Sequence, residues 1–187
     1  FRTEVKYWTI GTGTGGTGAT WGTAYKYLQD ALDAATPGDE IWVAKGIYYP
    51  DDDEGGNVTD NDRDASFNLK AGVSIYGGFK GDETSRDERN WDANLTVLSG
   101  DIDQNDSATD GVVQTPDRIV GNNSRNVVRG KDLNGELVVL DGFTVTGGDI
   151  FDDVRDSAFS GGGGIRITES QKITLENLTV RGNRAQR

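Results

Sequence analysis

Two stretches of this chain can be laid over one another without a gap. Val138-Val139-Leu140-Asp141-Gly142-Phe143-Thr144-Val145 matches Ile173-Thr174-Leu175-Glu176-Asn177-Leu178-Thr179-Val180. Shorter copies of the second half of the pattern recur at Asn94 to Asp101, at Gly72 to Gly78 and, loosely, at Glu40 to Gly46. A short strand and a glycine corner repeated along one chain predict a solenoid, in which each turn buries its apolar edge against the next.

The spacing of the apolar residues sets the expected geometry. Ile41/Val43, Val73/Ile75, Leu95/Val97, Phe143/Val145 and Leu178/Val180 are each two apart. In a strand, residues two apart share a face, so both members of each pair should point inward. In the two best copies a second pair precedes, Val138/Leu140 and Ile173/Leu175, with Gly142 or Asn177 at the join. Glycine and asparagine are the residues that most readily take a left-handed corner. Strand, corner, strand and a long variable segment describe an all-β chain wound as a parallel β-helix. Hydrophobic residues make up 34% of the 187, which suits a narrow core column rather than a wide one.

Residues 1–20 read as an N-terminal strand followed by a Gly/Thr linker, and residues 21–187 as the β-helix domain. One helix is expected, from about Ala24 to Ala35, where Tyr27, Leu28, Ala31, Leu32 and Ala35 make one apolar face. Thr36-Pro37-Gly38-Asp39 should stop it. A helix of this kind just before the first repeat would cap the end of the core. The chain starts at Phe1, which reads as a processed or excised piece. Arg187 follows a full repeat with no second cap, so the C-terminal turn is expected to be open.

Net charge is −12, which argues against nucleic acid and anionic membrane surfaces as partners. No apolar run reaches the length of a membrane span. The chain has neither cysteine nor histidine, so thiol chemistry and imidazole catalysis are both excluded. Acidic residues gather in four long segments, expected to follow Val43, Ile75, Val97 and Val145 and so to emerge on one flank. Within them Asp60, Asp62, Asp64 and Asp101, Asp103, Asn105 offer oxygen ligands at alternate positions, which makes Ca²⁺ the candidate cation. Neither run completes an EF-hand, since Ala71 and Val112 stand where the closing Glu belongs. The alternative is that these are solvated turn residues.

Leu28 to Tyr48 resembles the N-terminal cap and first turn of right-handed parallel β-helix proteins of the pectate-lyase-like superfamily. Val73 to Phe79, Val97 to Asp101 and Leu140 to Gly148 look like a subgroup found in large secreted bacterial surface proteins. Gly161-Gly162-Gly163-Gly164-Ile165 and Leu178-Thr179-Val180-Arg181-Gly182-Asn183 are similar to the repeats of polymorphic outer-membrane adhesins. The resemblance covers roughly Trp21 to the end and implies a right-handed parallel β-helix, a fold that carries lyases, hydrolases, adhesins and stalks alike. The expected function is a secreted or cell-surface structural or adhesion module without catalysis. Its expected partners are a surface glycan or protein, or copies of itself stacked through the open C-terminal turn into a filament.

The enzymatic alternative is an extracellular polysaccharide lyase. The resemblance implies a calcium-holding acidic site with an Arg base, for which Arg166 and Arg181 are the candidates. The hydrolase branch needs a Gly-His-Asp element that a chain without histidine lacks. Asp141 and Glu176 hold equivalent corner positions and would lie about 5 Å apart if stacked, a spacing that suits a retaining glycosidase pair. Trp8, Trp21, Trp91, Tyr48, Tyr49 and Tyr76 are candidate sugar-stacking rings.

Overall fold

The computed structural model describes residues 5–8, 16–52, 61–150 and 161–185. Its elements in chain order are β1 (Val5–Trp8), α1 (Leu28–Ala34), β2 (Glu40–Ala44), β3 (Gly46–Tyr48), β4 (Phe67–Asn68), β5 (Ser74–Phe79) and β6 (Thr96–Ser99). There follow β7 (Ala108–Thr109), β8 (Val112–Val113), β9 (Val128–Lys131), β10 (Val138–Asp141), β11 (Thr144–Thr146), β12 (Ile165–Thr168), β13 (Ile173–Glu176) and β14 (Thr179–Val180). The secondary structure is mostly β.

Three sheets carry the fold. The first has the order β1-β2-β5-β10-β13, the second β3-β6-β11-β14 and the third β4-β9-β12. Every pairing within them is parallel. Among the described residues only β7 and β8 form an antiparallel hairpin. From β2 onward the chain visits the first, second and third sheets in that order, returns to the first, and repeats the circuit. Equivalent residues stack at each return: Ile41 on Ile75, Ile75 on Leu140, Leu140 on Leu175.

The core lies between the three sheets. Ile41, Val43, Ile75 and Leu140 of the first meet Tyr48, Leu98 and Val145 of the second and Phe67 and Val128 of the third. Leu28, Ala31 and Leu32 of α1 and its C-cap Ala35 pack into the same core. The helix is shorter than its periodicity suggests, because Tyr27 is extended and serves as the N-cap. At the other end Lys70 Nζ donates to the carbonyls of Leu32, Asp33 and Ala35 at 2.9, 2.9 and 3.0 Å. An ammonium there adds a donor to carbonyls at the helix end and offsets the negative end of its dipole.

The two predicted corners are observed. Gly142 has φ 84° and Asn177 φ 48°, both left-handed. The register of the shorter copies differs from the sequence alignment. Val73/Ile75 belongs to the first sheet, opposite Val138/Leu140 rather than Phe143/Val145, and Ile41 stacks on Ile75 in that same sheet. In β6 the inward residue is Leu98, which pairs with Val145, while Val97 pairs with Thr144 and Leu95 is exposed. A slip of one residue turns every side chain to the other face. The run Leu95-Thr96-Val97-Leu98 is apolar on both parities, so its pattern does not choose between them.

That correction redistributes the acidic segments. The described parts of segments 49–66, 100–127 and 147–164 lie between the second sheet and the third, and therefore share a corner. Segment 80–95 leaves between the first sheet and the second and folds back over the outer face of the first. There Trp42, Tyr76, Phe79 and Val139 form a second apolar cluster, with Trp21 packed on it. Trp42 and Phe79 stack at 4.9 Å, and Trp21 Nε1 donates to Glu83 O at 2.9 Å. Glu83 is buried and accepts the N–H groups of Lys80, Gly81 and Asp82. Arg86 pairs with Glu40 at 2.7 Å, and Arg89 pairs with Asp141.

Candidate functional site: an acidic corner

The shared corner gathers carboxylates from three turns of the chain. Asp101 follows β6 directly and is buried. Its Oδ1 accepts the Asn105 N–H at 3.0 Å and its Oδ2 the Asp106 N–H at 3.1 Å. Asp103 Oδ2 accepts the Asn122 N–H at 2.8 Å. Asp106 Oδ1 accepts the Val120 N–H at 2.6 Å, and its Oδ2 accepts Asn123 Nδ2 at 2.8 Å. Asp103 and Asp106 thus tie segment 101–106 to segment 120–123, while Asp101 holds the turn of its own segment. Gly121 lies where they meet: a Cβ there would come within 2.3 Å of Asp103 Oδ2 and 2.4 Å of Asn105 Nδ2.

Electrostatics follow from this crowding. Burial pushes the Asp101 carboxyl up to about 6, and the neighbouring charges of Asp106 and Asp103 push the same way against the two N–H donors. Asp106 is raised as well, first by burial and then by Asp103 and Asp149, against its bonds from Val120 and Asn123. The Tyr49 hydroxyl is pushed up to about 12 by burial and by the charges of Asp101, Asp52 and Asp51. Asp103 Oδ1 and Asn123 Oδ1 are buried and meet no hydrogen-bond donor among the described residues.

Basic groups hold the edges of the corner. Asp149 is buried and held in a fork by Arg184, at 2.9 Å from Nε and 2.5 Å from Nη2. Arg63 donates to the Asn123 and Asp149 carbonyls, both at 2.9 Å. Asp64 pairs with Arg125.

Of the six sequence-predicted ligands, Asp62, Asp64, Asp101, Asp103 and Asn105 lie among the described residues. Asp60 lies outside the described residues, as do Asp53, Glu54, Asp152, Asp153 and Asp156. Asp62 Oδ1 accepts the Asp64 N–H at 2.9 Å, a local turn contact. Both Asp101 oxygens are taken by backbone donors, and Asn105 is exposed. Among the described residues no group of three or more His, Cys, Asp or Glu side chains is placed to hold a metal ion. Alternation predicted the ligand set, but alternate side chains lie together only in an extended loop. Here Gln104 turns left-handed at φ 55° and breaks the alternation. Asp106 and Asn123 were not singled out in the sequence, because the contact between them spans 17 positions.

The other candidate groups are also engaged. Asp141 stacks on Glu176 as expected. Its carboxylate is buried between Arg89 Nη2 at 2.5 Å and Asn177 Nδ2 at 2.8 Å, while Glu176 is exposed. Arg181 reaches the Gln114 carbonyl at 3.4 Å. Among the aromatics, Tyr48 is buried with its hydroxyl on the Ala44 carbonyl, and Trp21 and Tyr76 pack over the first sheet. The Trp8 side chain lies outside the described residues. Among the described residues no helix is long and apolar enough to cross a membrane. No protein-family model, no curated protein and no solved structure matches the chain.

Proposed function

We propose that the chain is a non-catalytic structural or adhesion module of the secreted or cell-surface type, built as a right-handed parallel β-helix. The observation that supports this reading is the fixed circuit through three parallel sheets, with equivalent residues stacked at every return. Parallel crossovers are right-handed almost without exception, which supports the hand. Insertions pinned back onto the outer faces suit a rigid surface-bearing rod. A surface glycan or protein is the proposed partner. Calcium is part of the proposal as the cation that the uncompensated charge of Asp101, Asp103 and Asp106 would attract, although these groups form no ready-made ligand cage.

The test has two arms. Incubation with acidic polysaccharides and calcium should give no unsaturated product; accumulation of such product would establish the lyase alternative instead. Thermal unfolding with calcium and then with excess chelator should show a calcium-dependent rise in Tm. An unchanged Tm would remove calcium from the proposal.

A further inference from the structure

A cavity of about 180 Å³ opens where the start of α1 meets the end of β3. Leu28 and Tyr48 line it and also belong to the core, so this part of the wall is fixed from behind. The Tyr48 hydroxyl is committed to the Ala44 carbonyl at 2.8 Å and presents no polar group to the cavity. Tyr27 and Tyr49, both partly buried, add two further rings. Lys26 and Asp52 complete the polar part of the lining. A few polar groups set in an apolar, aromatic wall are the usual make-up of a small-molecule site.

The chemistry of that lining narrows what fits it. Aromatic rings favour a ligand with a flat apolar face. The Lys26 ammonium donates, the Asp52 carboxylate accepts and the Tyr49 phenol does either, which suits a ring carrying several hydroxyls. Charge excludes much else. A phosphate or carboxylate would meet Asp52, with Asp51 and Asp101 also acting on Tyr49. An ammonium would meet Lys26, whose Nζ already stands 4.6 Å from the centroid of the Tyr27 ring. The volume lies below the roughly 300–1,000 Å³ of cavities that enclose larger ligands, so one ring fits rather than a run of several.

We propose that this cavity binds one neutral hexopyranose, the terminal residue of a glycan. Its apolar face lies on the tyrosine rings, and its hydroxyls meet Asp52, Lys26 and the Tyr49 phenol. The inference rests on the glycan partner proposed above and gives that partner a sugar class and a place. Burial, then the charges of Asp101, Asp52 and Asp51, push the Tyr49 hydroxyl up to about 12, so it stays protonated and able to donate. Lys26 is exposed, and its flexible stem lets the ammonium turn from the Tyr27 ring to a hydroxyl. A neutral sugar also differs from the acidic sugars that the lyase alternative would need.

The probes are the methyl glycosides of glucose, galactose and mannose, with methyl glucuronoside and glucosamine as charged controls. NMR titration of the whole chain should show at least one neutral glycoside bound with a Kd on the order of 1 mM, as expected for one small ring. Both charged sugars should bind roughly tenfold more weakly or less. Asp52→Asn should weaken the neutral sugar roughly tenfold by removing a charged acceptor, and Tyr49→Phe roughly fivefold by removing one hydroxyl. Trp91→Ala, at an exposed ring outside the cavity, should bind as the original chain does. Circular dichroism checks that each variant is folded. No response to any of the three neutral glycosides would overturn the proposal, and so would tighter binding of a charged sugar. Folded Asp52→Asn and Tyr49→Phe chains with undiminished affinity would also overturn this site, while leaving a glycan partner in place. The non-catalytic reading fails on a different readout, unsaturated product from an acidic polysaccharide, so the two failures are told apart.

Discussion

Arg89 Nη2 lies 2.5 Å from Asp141 Oδ2, with only 10% and 6% of the two side chains exposed, and joins the insertion 80–95 to β10 across the outer face of the first sheet. The guanidinium also sits 5.2 Å from the Tyr76 ring and 4.8 Å from the Trp91 ring, so it is held between two aromatics as well as paired. Asp141 has a second donor in Asn177, which belongs to the next turn of the chain. One carboxylate therefore ties an insertion to two successive turns.

Removing Arg89 should be costly because it leaves Asp141 buried without its charge partner. Arg89→Ala is expected to destabilise the fold by about 3–5 kcal/mol, read from urea unfolding. Replacing both members with apolar residues of similar size should cost much less. A loss below about 1 kcal/mol for the single variant would mean the pair is solvated in solution.

Asp101 gives a pH dependence with a definite sign. Its folded-state pKa is raised to about 6 from 3.8, so the folded protein holds this proton more tightly than the unfolded chain. Its stabilising contribution is full below the unfolded value and is lost as pH rises through about 6. Asp106 is shifted the same way. Glu88, lowered by the Thr84 and Ser85 N–H groups, and Asp117, lowered by the Thr115 side chain, act oppositely and only at more acid pH. Urea midpoints should therefore fall as pH rises from about 4 to about 6, and Asp101→Asn should flatten that slope. An equal slope in the variant would assign the dependence elsewhere.

Gly142 should resist substitution. Its φ of 84° is left-handed, and a Cβ would lie 2.9 Å from Arg89 Nη1 and 3.0 Å from the Gly77 carbonyl oxygen. Gly142→Ala is expected to cost about 1–2 kcal/mol from backbone strain alone. Gly142→Asn should cost less than Ala, because Asn177 adopts the same corner one turn later. Chemical denaturation of the two variants ranks them directly, and the reverse order would contradict the corner assignment.

Lys70 is expected to anchor the capping helix. Lys70→Met keeps the stem and removes the ammonium from three carbonyls at the end of α1. A loss of about 1–2 kcal/mol should follow, together with faster amide exchange in Leu28–Ala34. Unchanged exchange there would show that the apolar face alone holds the helix.

The repeats at Val138 to Val145 and Ile173 to Val180 were legible because strand alternation and the left-handed corner are local properties of backbone and side chain. Those two stretches pair in the predicted register, residue for residue. The apolar face of α1 was legible for the same reason, since Leu28, Ala31, Leu32 and Ala35 need only helical spacing to meet one surface. Where alternation is ambiguous, as at Leu95-Thr96-Val97-Leu98, the inward residue was settled by what each side chain packs against across the core. The acidic corner lay still further from the sequence. Its key contacts join Asp106 to Asn123, Arg63 to Asp149 and Asp64 to Arg125, residues brought together by segments from different turns. Local periodicity therefore determined the two best strand pairs, their corners and the apolar face of α1. Only the tertiary structure decided which insertions share an edge and where each buried carboxylate finds its donors, because stacking places residues side by side that lie tens of positions apart along the chain.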